Sequence, residues 1–190
     1  SAGSGSAPPA ITYSTAGTYN VSLTVSNANG SDTETKTGYI NVINCSYCAS
    51  SSTTYNEEWI SNVTFNTINN TTTGTAGYNN YTAISTNVTK GTTYTASVSC
   101  GSTGSWAENI WVFIDFNQNC SFTDSGESFD LGQTTGPGTK TLSITIPSGA
   151  TSGATRMRVS LKYNADPTSC EAFTYGEVED YTLVIAGSAV

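Results

Sequence analysis

Oxygen-bearing side chains recur at Asp115, Asn117, Asn119, Ser121, Asp124 and Glu127, directly after the apolar run Trp111-Val-Phe-Ile114. Alternating oxygen ligands are how a short loop wraps a hard cation such as calcium. A helix–loop–helix calcium loop places its closing glutamate at the twelfth position. Gly126 stands there, and Glu127 follows one place late. One reading is therefore a β-loop calcium site with Asp115, Asn117, Asn119 and Asp124 as ligands and Glu127 closing it. The other is a polar turn in which Asp and Asn cap their own backbone. Calcium bound here would stabilise the folded form by mass action and would have no catalytic role.

A second acidic group is Glu177, Glu179 and Asp180. On a strand, Glu177 and Glu179 share one face, and Val178 and Asp180 share the other. Two such carboxylates could act as acid and base across a glycosidic bond. The structural alternative pairs one of them with Arg156 or Arg158, whose planar fork suits a carboxylate near a core. The aromatics Trp59, Trp106, Trp111, Tyr78, Tyr81, Tyr163, Phe173 and Tyr175 admit sugar stacking or ordinary packing. Trp111 alternates within an apolar strand and is expected in the core. Trp106 lies in a Gly-rich loop, and Tyr78 and Tyr81 flank Asn79-Asn80, so these three are the candidate ligand-binding rings.

Composition narrows the chemistry. The chain has no histidine, which removes His-based triads, His-ligated zinc and His acid–base catalysis. It carries six basic residues and a net charge of −8. No basic cluster is available for phosphates or for an anionic membrane, so neither nucleic acid nor a membrane surface is an expected partner. No apolar run approaches the ~20 residues of a membrane span. Charged residues make up only 11% of the chain, against roughly 25% in ordinary soluble domains. Ser, Thr, Asn and Gly replace them, as suits β-sandwiches outside the cell. The five cysteines (Cys45, Cys48, Cys100, Cys120 and Cys170) read as structural disulfides of an oxidising compartment, with one left over.

The elements that must hold these groups are strands. Tyr19, Val21, Leu23 and Val25 alternate with Thr, Ser and Asn and predict a half-buried strand over 18–26. Asn27-Ala-Asn-Gly30 predicts a turn, and 32–42 the returning strand. Further strands are expected at 59–65, 78–85, 93–99, 109–116, 127–131, 140–146, 155–163 and 179–185, punctuated by Gly and Pro. No window shows a 3.6-residue period, so no helix is expected.

Residues Ile11-Thr-Tyr-Ser-Thr-Ala-Gly-Thr-Tyr-Asn-Val-Ser-Leu-Thr-Val-Ser26, followed by Tyr39-Ile-Asn-Val42, resemble the C-terminal half of a PKD domain, an immunoglobulin-like sandwich of extracellular proteins. Residues from Tyr47-Cys48 to Ala186 resemble the GEVED domain. That resemblance rests on Gly176-Glu-Val-Glu-Asp180, Trp59-Ile-Ser-Asn-Val63, Asp115-Phe-Asn-Gln-Asn119, Ser125-Gly-Glu127 and Thr155-Arg-Met-Arg-Val159. Related sequences usually carry glycine where this chain has Cys120, and often aspartate at the place of Asn119.

The resemblance implies an all-β protein: a linker over 1–10, a partial PKD-like sandwich over 11–43, a junction over 44–58 and a jelly-roll-like GEVED sandwich over 59–187. Cys48 is expected to pair with Cys170, tying the start of that region to its end, and Cys100 with Cys120, which leaves Cys45 odd. The implied function is a non-catalytic structural or adhesion module of a large secreted or surface-attached bacterial protein. The PKD-like part lacks its first half. It would be completed by a neighbouring domain or by strand exchange with another copy, which would build a filament. The alternative is a carbohydrate-binding accessory to a secreted hydrolase. Partners are then other copies, neighbouring domains, a glycan or a surface protein.

Overall fold

The computed structural model describes residues 11, 13, 15–42 and 44–187. The linker expected over 1–10 lies outside them. The chain divides into two compact units, Ser1–Ser46 and Tyr47–Val190. All regular structure among the described residues is β.

The first unit is an antiparallel ribbon of β1 (Gly17–Asn27) and β2 (Gly30–Val42). Asn27 and Gly30 close the hairpin, and the Asn27 side chain accepts the Asn29 N–H at 2.8 Å. Such a cap is why Asn marks turns. One face carries paired hydroxyls, Ser22 with Thr35 and Thr24 with Thr33, each at 2.8 Å. The other carries Val21, Leu23 and Val25, which are 37%, 64% and 62% exposed. The alternation predicted a half-buried strand. The strand forms, but a two-stranded ribbon has no second layer to cover its apolar row.

The second unit holds β3 (Ser51–Thr54), β4 (Glu58–Phe65), β5 (Ile68–Thr71), β6 (Tyr78–Thr89), β7 (Thr93–Ser102), β8 (Ala107–Ile114), β9 (Ser128–Thr135), β10 (Gly138–Thr145), β11 (Gly153–Tyr163) and β12 (Ala172–Ala186). One antiparallel sheet runs β10-β7-β4-β5. The other runs β3-β12-β11-β8-β9, with β6 also on β12. Ile60, Val63, Phe65, Val98 and Ile144 from the first sheet meet Ile110, Val112, Ile114, Val159, Leu161 and Leu183 from the second in one core. The result is a two-layer sandwich. β12 takes both β3 and β6 as parallel neighbours, a departure from the antiparallel pairing of a jelly roll.

Two strands lay beyond sequence reading. β3 is Ser-Ser-Thr-Thr, within the stretch read as a junction, and β5 is Ile-Asn-Asn-Thr. Neither has an alternating apolar pattern, and each exists because a longer neighbour supplies its ladder. β12 begins seven residues before the expected strand 179–185, because its first half is held by register with β11 and β3 and not by apolar alternation.

Candidate functional site

β12 sets the Gly176–Asp180 motif in the interior of its sheet, between β11 on one side and β3 and β6 on the other. Alternation sends Glu177 and Glu179 to the inner face, beside their cross-strand partners Leu161 and Val159. Asp180 goes to the outer face, opposite Arg158. All three carboxylates are fully buried. Glu177 accepts the Ile60 N–H at 2.7 Å, where β4 bulges, and the Asn79 amide at 2.5 Å. Glu179 accepts the Thr72 hydroxyl at 2.9 Å and the Tyr181 hydroxyl at 2.7 Å. Burial, with the Glu179 charge added, pushes Glu177 up to about 8. Burial likewise pushes Glu179 up to about 7. Gly176 leads the motif because the chain passes too close to β11 for a side chain: a Cβ there would lie 2.0 Å from the Leu161 carbonyl oxygen.

On the outer face Arg158 grips Asp180 bidentately, Nε at 2.8 Å and Nη2 at 2.9 Å. Arg156 and the Tyr78 hydroxyl reach the same carboxylate, each at 3.0 Å. Arg158 Nη1 also donates to the backbone carbonyls of Cys48 at 2.9 Å and Ser169 at 2.6 Å. Those residues flank the Cys48–Cys170 disulfide, whose Cα atoms lie 5.4 Å apart. The motif is thus a buttress. Its inner carboxylates tie β12 to β4 and β6, and its outer one anchors the arginine that holds the disulfide segment. No oxygen in it is left for a substrate.

The expected Cys100–Cys120 bridge does not form. Cys100 is a buried free thiol on the inner row of β7. Cys120 is itself disulfide-bonded, and so is Cys45, the cysteine expected to be odd. The error came from pairing cysteines at strand ends, since alternation alone turns Cys100 into the core with Ala96 and Val98.

The acidic loop bonds largely to itself. Asp115 is fully buried. It accepts the N–H groups of Asn119 at 3.2 Å and Cys120 at 2.9 Å, and the Tyr47 hydroxyl at 2.7 Å. Glu127 Oε1 accepts the N–H groups of Phe116 at 2.7 Å and Asn117 at 3.3 Å. Asn117 and Asn119 spend their carbonyl oxygens on turn N–H groups, so their amide N–H groups face Asp124, at 3.1 and 2.7 Å. Donors stand where a calcium cage needs oxygens. Among the described residues no cluster of three or more His, Cys, Asp or Glu has metal-holding geometry. The fold gathers Asp115, Asn117, Asn119, Asp124 and Glu127 into one loop, with the buried Glu127 Oε2 left without a protein donor. Cys120 adopts φ +69°, the left-handed backbone that glycine takes without strain.

The three candidate rings do not share a groove. Trp106 lines a cleft of about 200 Å³ with Glu57, Glu58, Tyr163 and Tyr175. Tyr78 lines a different one, with Tyr47, Arg156 and Arg158. Tyr81 packs against the core, its ring 5.8 Å from that of Tyr181. Trp111 faces outward, stacks near Phe113 at 6.0 Å and donates to Asp166 at 3.4 Å, so it is not a core residue. Sequence reasoning passed over Glu58 and Glu108. Both are buried, and no protein group donates to either oxygen of Glu108. The signal was present: Glu108 precedes Ile110, Val112 and Ile114 on the same inward row of β8.

Family models match the chain in two places. A GEVED domain covers residues 109–184 and a PKD domain covers residues 1–39. No curated protein matches the chain. Neither matched domain is a catalytic domain, and both fit an extracellular module, as do the disulfides. The buried acidic strand thus falls almost wholly within the GEVED match, and most of the ribbon that precedes the sandwich falls within the PKD match.

Proposed function

We propose that the chain is a non-catalytic structural or adhesion module of a larger secreted or surface protein. The observation that carries this reading is the complete commitment of the motif carboxylates. Seven donor groups from six residues, besides the adjacent Tyr181 hydroxyl, bind Glu177, Glu179 and Asp180, and all three are buried. A glycosidase pair needs carboxylates facing a substrate cleft, and a motif spent on bracing needs none. The test replaces Asp180 by Asn and Glu179 by Gln. Lower melting temperatures with no hydrolase activity in the parent or either variant support bracing. Hydrolysis of a glycan by the parent that Glu179→Gln abolishes defeats it.

The apolar row Val21, Leu23 and Val25 supports self-assembly by strand addition as the finer form of this role. Size-exclusion chromatography with light scattering should show assemblies that grow with concentration and that Leu23→Glu dissolves. A monomer at every concentration removes the filament.

A second reading is glycan binding. The observation that favours it is the cleft in which Trp106 joins Tyr163 and Tyr175. A glycan array should lose its signals with Trp106→Ala, and an array unchanged by that substitution ends this reading.

A further inference from the structure

We infer that the cleft at the open end of the sandwich binds an organic ammonium group, with Glu58 and Glu108 as its counter-charges and Trp106, Tyr163 and Tyr175 as its walls.

The cleft is where the core's inner faces run out. Trp106 immediately precedes β8, and Glu108, on the inward row of that strand, pairs directly with Tyr163 of β11. Directly opposed residues of an antiparallel pair project from the same side of a sheet, so Glu108 and Tyr163 share the face on which the cleft opens. Tyr163 meets Tyr175 edge-on, centroids 6.1 Å apart. The facing sheet contributes Glu58, the first residue on the inward row of β4 that continues with Ile60. Trp106 is positioned by its own loop: its ring lies over Gly104, where a Cβ would come within 2.7 Å of it. Its carbonyl is held by the Gly136 N–H at 2.7 Å.

The charge balance of this end is unusual. Glu108 is fully buried and Glu58 is 2% exposed. The described ion pairs take Arg156 and Arg158 to Asp180 and Lys162 to Glu171, and none reaches Glu57, Glu58 or Glu108. A buried carboxylate with neither a donor nor a counter-charge is costly. It marks a place where a cation is favoured. Aromatic faces beside carboxylates attract ammonium groups through the ring quadrupole, and more strongly once water is excluded. A neutral sugar would stack on the same rings but would offer the Glu58 and Glu108 carboxyls no counter-charge, whereas a bound ammonium favours their ionised form. The cleft volume of about 200 Å³ suits one small head group. The ligand class is therefore an alkylammonium or amino sugar, and binding it requires neither self-association nor recognition of a neutral glycan.

The experiment uses the whole chain and follows its three tryptophan indole N–H signals by NMR, with Trp106→Phe assigning the Trp106 signal. The probes are choline, glucosamine and N-acetylglucosamine. Choline or glucosamine should shift the Trp106 signal saturably and leave those of Trp59 and Trp111 in place. N-acetylglucosamine should bind at least about tenfold more weakly, as expected when a cation–π contact and its counter-charge are lost. Saturation by glucosamine alone names an amino sugar, and saturation by both names the ammonium group itself. Glu108→Gln should weaken binding by about the same tenfold factor. If that variant does not fold, Tyr175→Ala should weaken it, because one wall is then missing. Equal binding of glucosamine and N-acetylglucosamine, or no shift with any amine at millimolar concentration, overturns the assignment.

Discussion

Asp180 and Arg158 form a charged pair at 2.8 Å, and both are essentially removed from water. A pair so placed is not a large net source of stability, because both ions lost their hydration. Breaking it is another matter, since the partner left behind stays buried and charged. Arg158→Met should cost about 3–5 kcal/mol in urea unfolding, and combining it with Asp180→Asn should recover part of that loss. A loss under 1 kcal/mol, on the order of a surface pair, would mean that the arginine finds water. At the acidic loop, the Asn117 and Asn119 amides point N–H groups at Asp124. Melting temperature should therefore be the same with calcium and with a chelator. A rise of several degrees in calcium would show that the loop re-forms around an ion and that those amides reverse.

At the scale of elements, β12 does most of the organising. β11, β6 and β4 each meet the motif through its register, and its pairing with β11 begins at Gly176. Its φ is +127° and its Cα faces the Leu161 carbonyl. Gly176→Ala should destabilise the sandwich by at least about 1–3 kcal/mol, the usual cost of a strained backbone position, with the added steric conflict raising it further. Chemical denaturation checks this, and an unchanged midpoint would mean that β12 slides past β11 freely. The β1–β2 ribbon behaves differently. Its strands were legible from alternation and its turn from Asn27 and Gly30. The exposure of Leu23 was not, because a period of two says which residues share a face and nothing about what covers it.

For the whole molecule, the buried carboxylates predict a protein suited to acid. Glu177 and Glu108 are pushed up to about 8, Glu179 to about 7 and Glu58 to about 6, in each case first by burial. In the unfolded chain these groups release their protons near the ordinary glutamate value, about 4.3. Between roughly pH 4.5 and 8 the folded state therefore binds more protons than the unfolded one, and stability falls as pH rises. Melting temperature should be higher at pH 5 than at pH 8.5 at constant ionic strength, and Glu108→Gln should flatten the slope. A melting temperature that rises with pH would contradict this. The Cys48–Cys170 bridge spans 122 residues of sequence, and losing it should cost roughly 4–5 kcal/mol in the chain-entropy picture. Comparing unfolding of the parent with that of a variant carrying Cys48→Ala and Cys170→Ala measures that cost.

Alternating Tyr, Val and Leu with Thr and Ser settled the β class and most strand positions, because burying one face of a strand is a local demand written every second residue. The fate of the acidic groups was decided only by the tertiary fold. Asp115 and Glu177 carry the same charge as any exposed carboxylate, and their neighbours in sequence do not say whether an N–H, an arginine or a ligand will meet them. That depends on which strand arrives opposite, as β4 meets Glu177 and β11 meets Asp180, and leaves Glu108 at the open end with no partner from the protein.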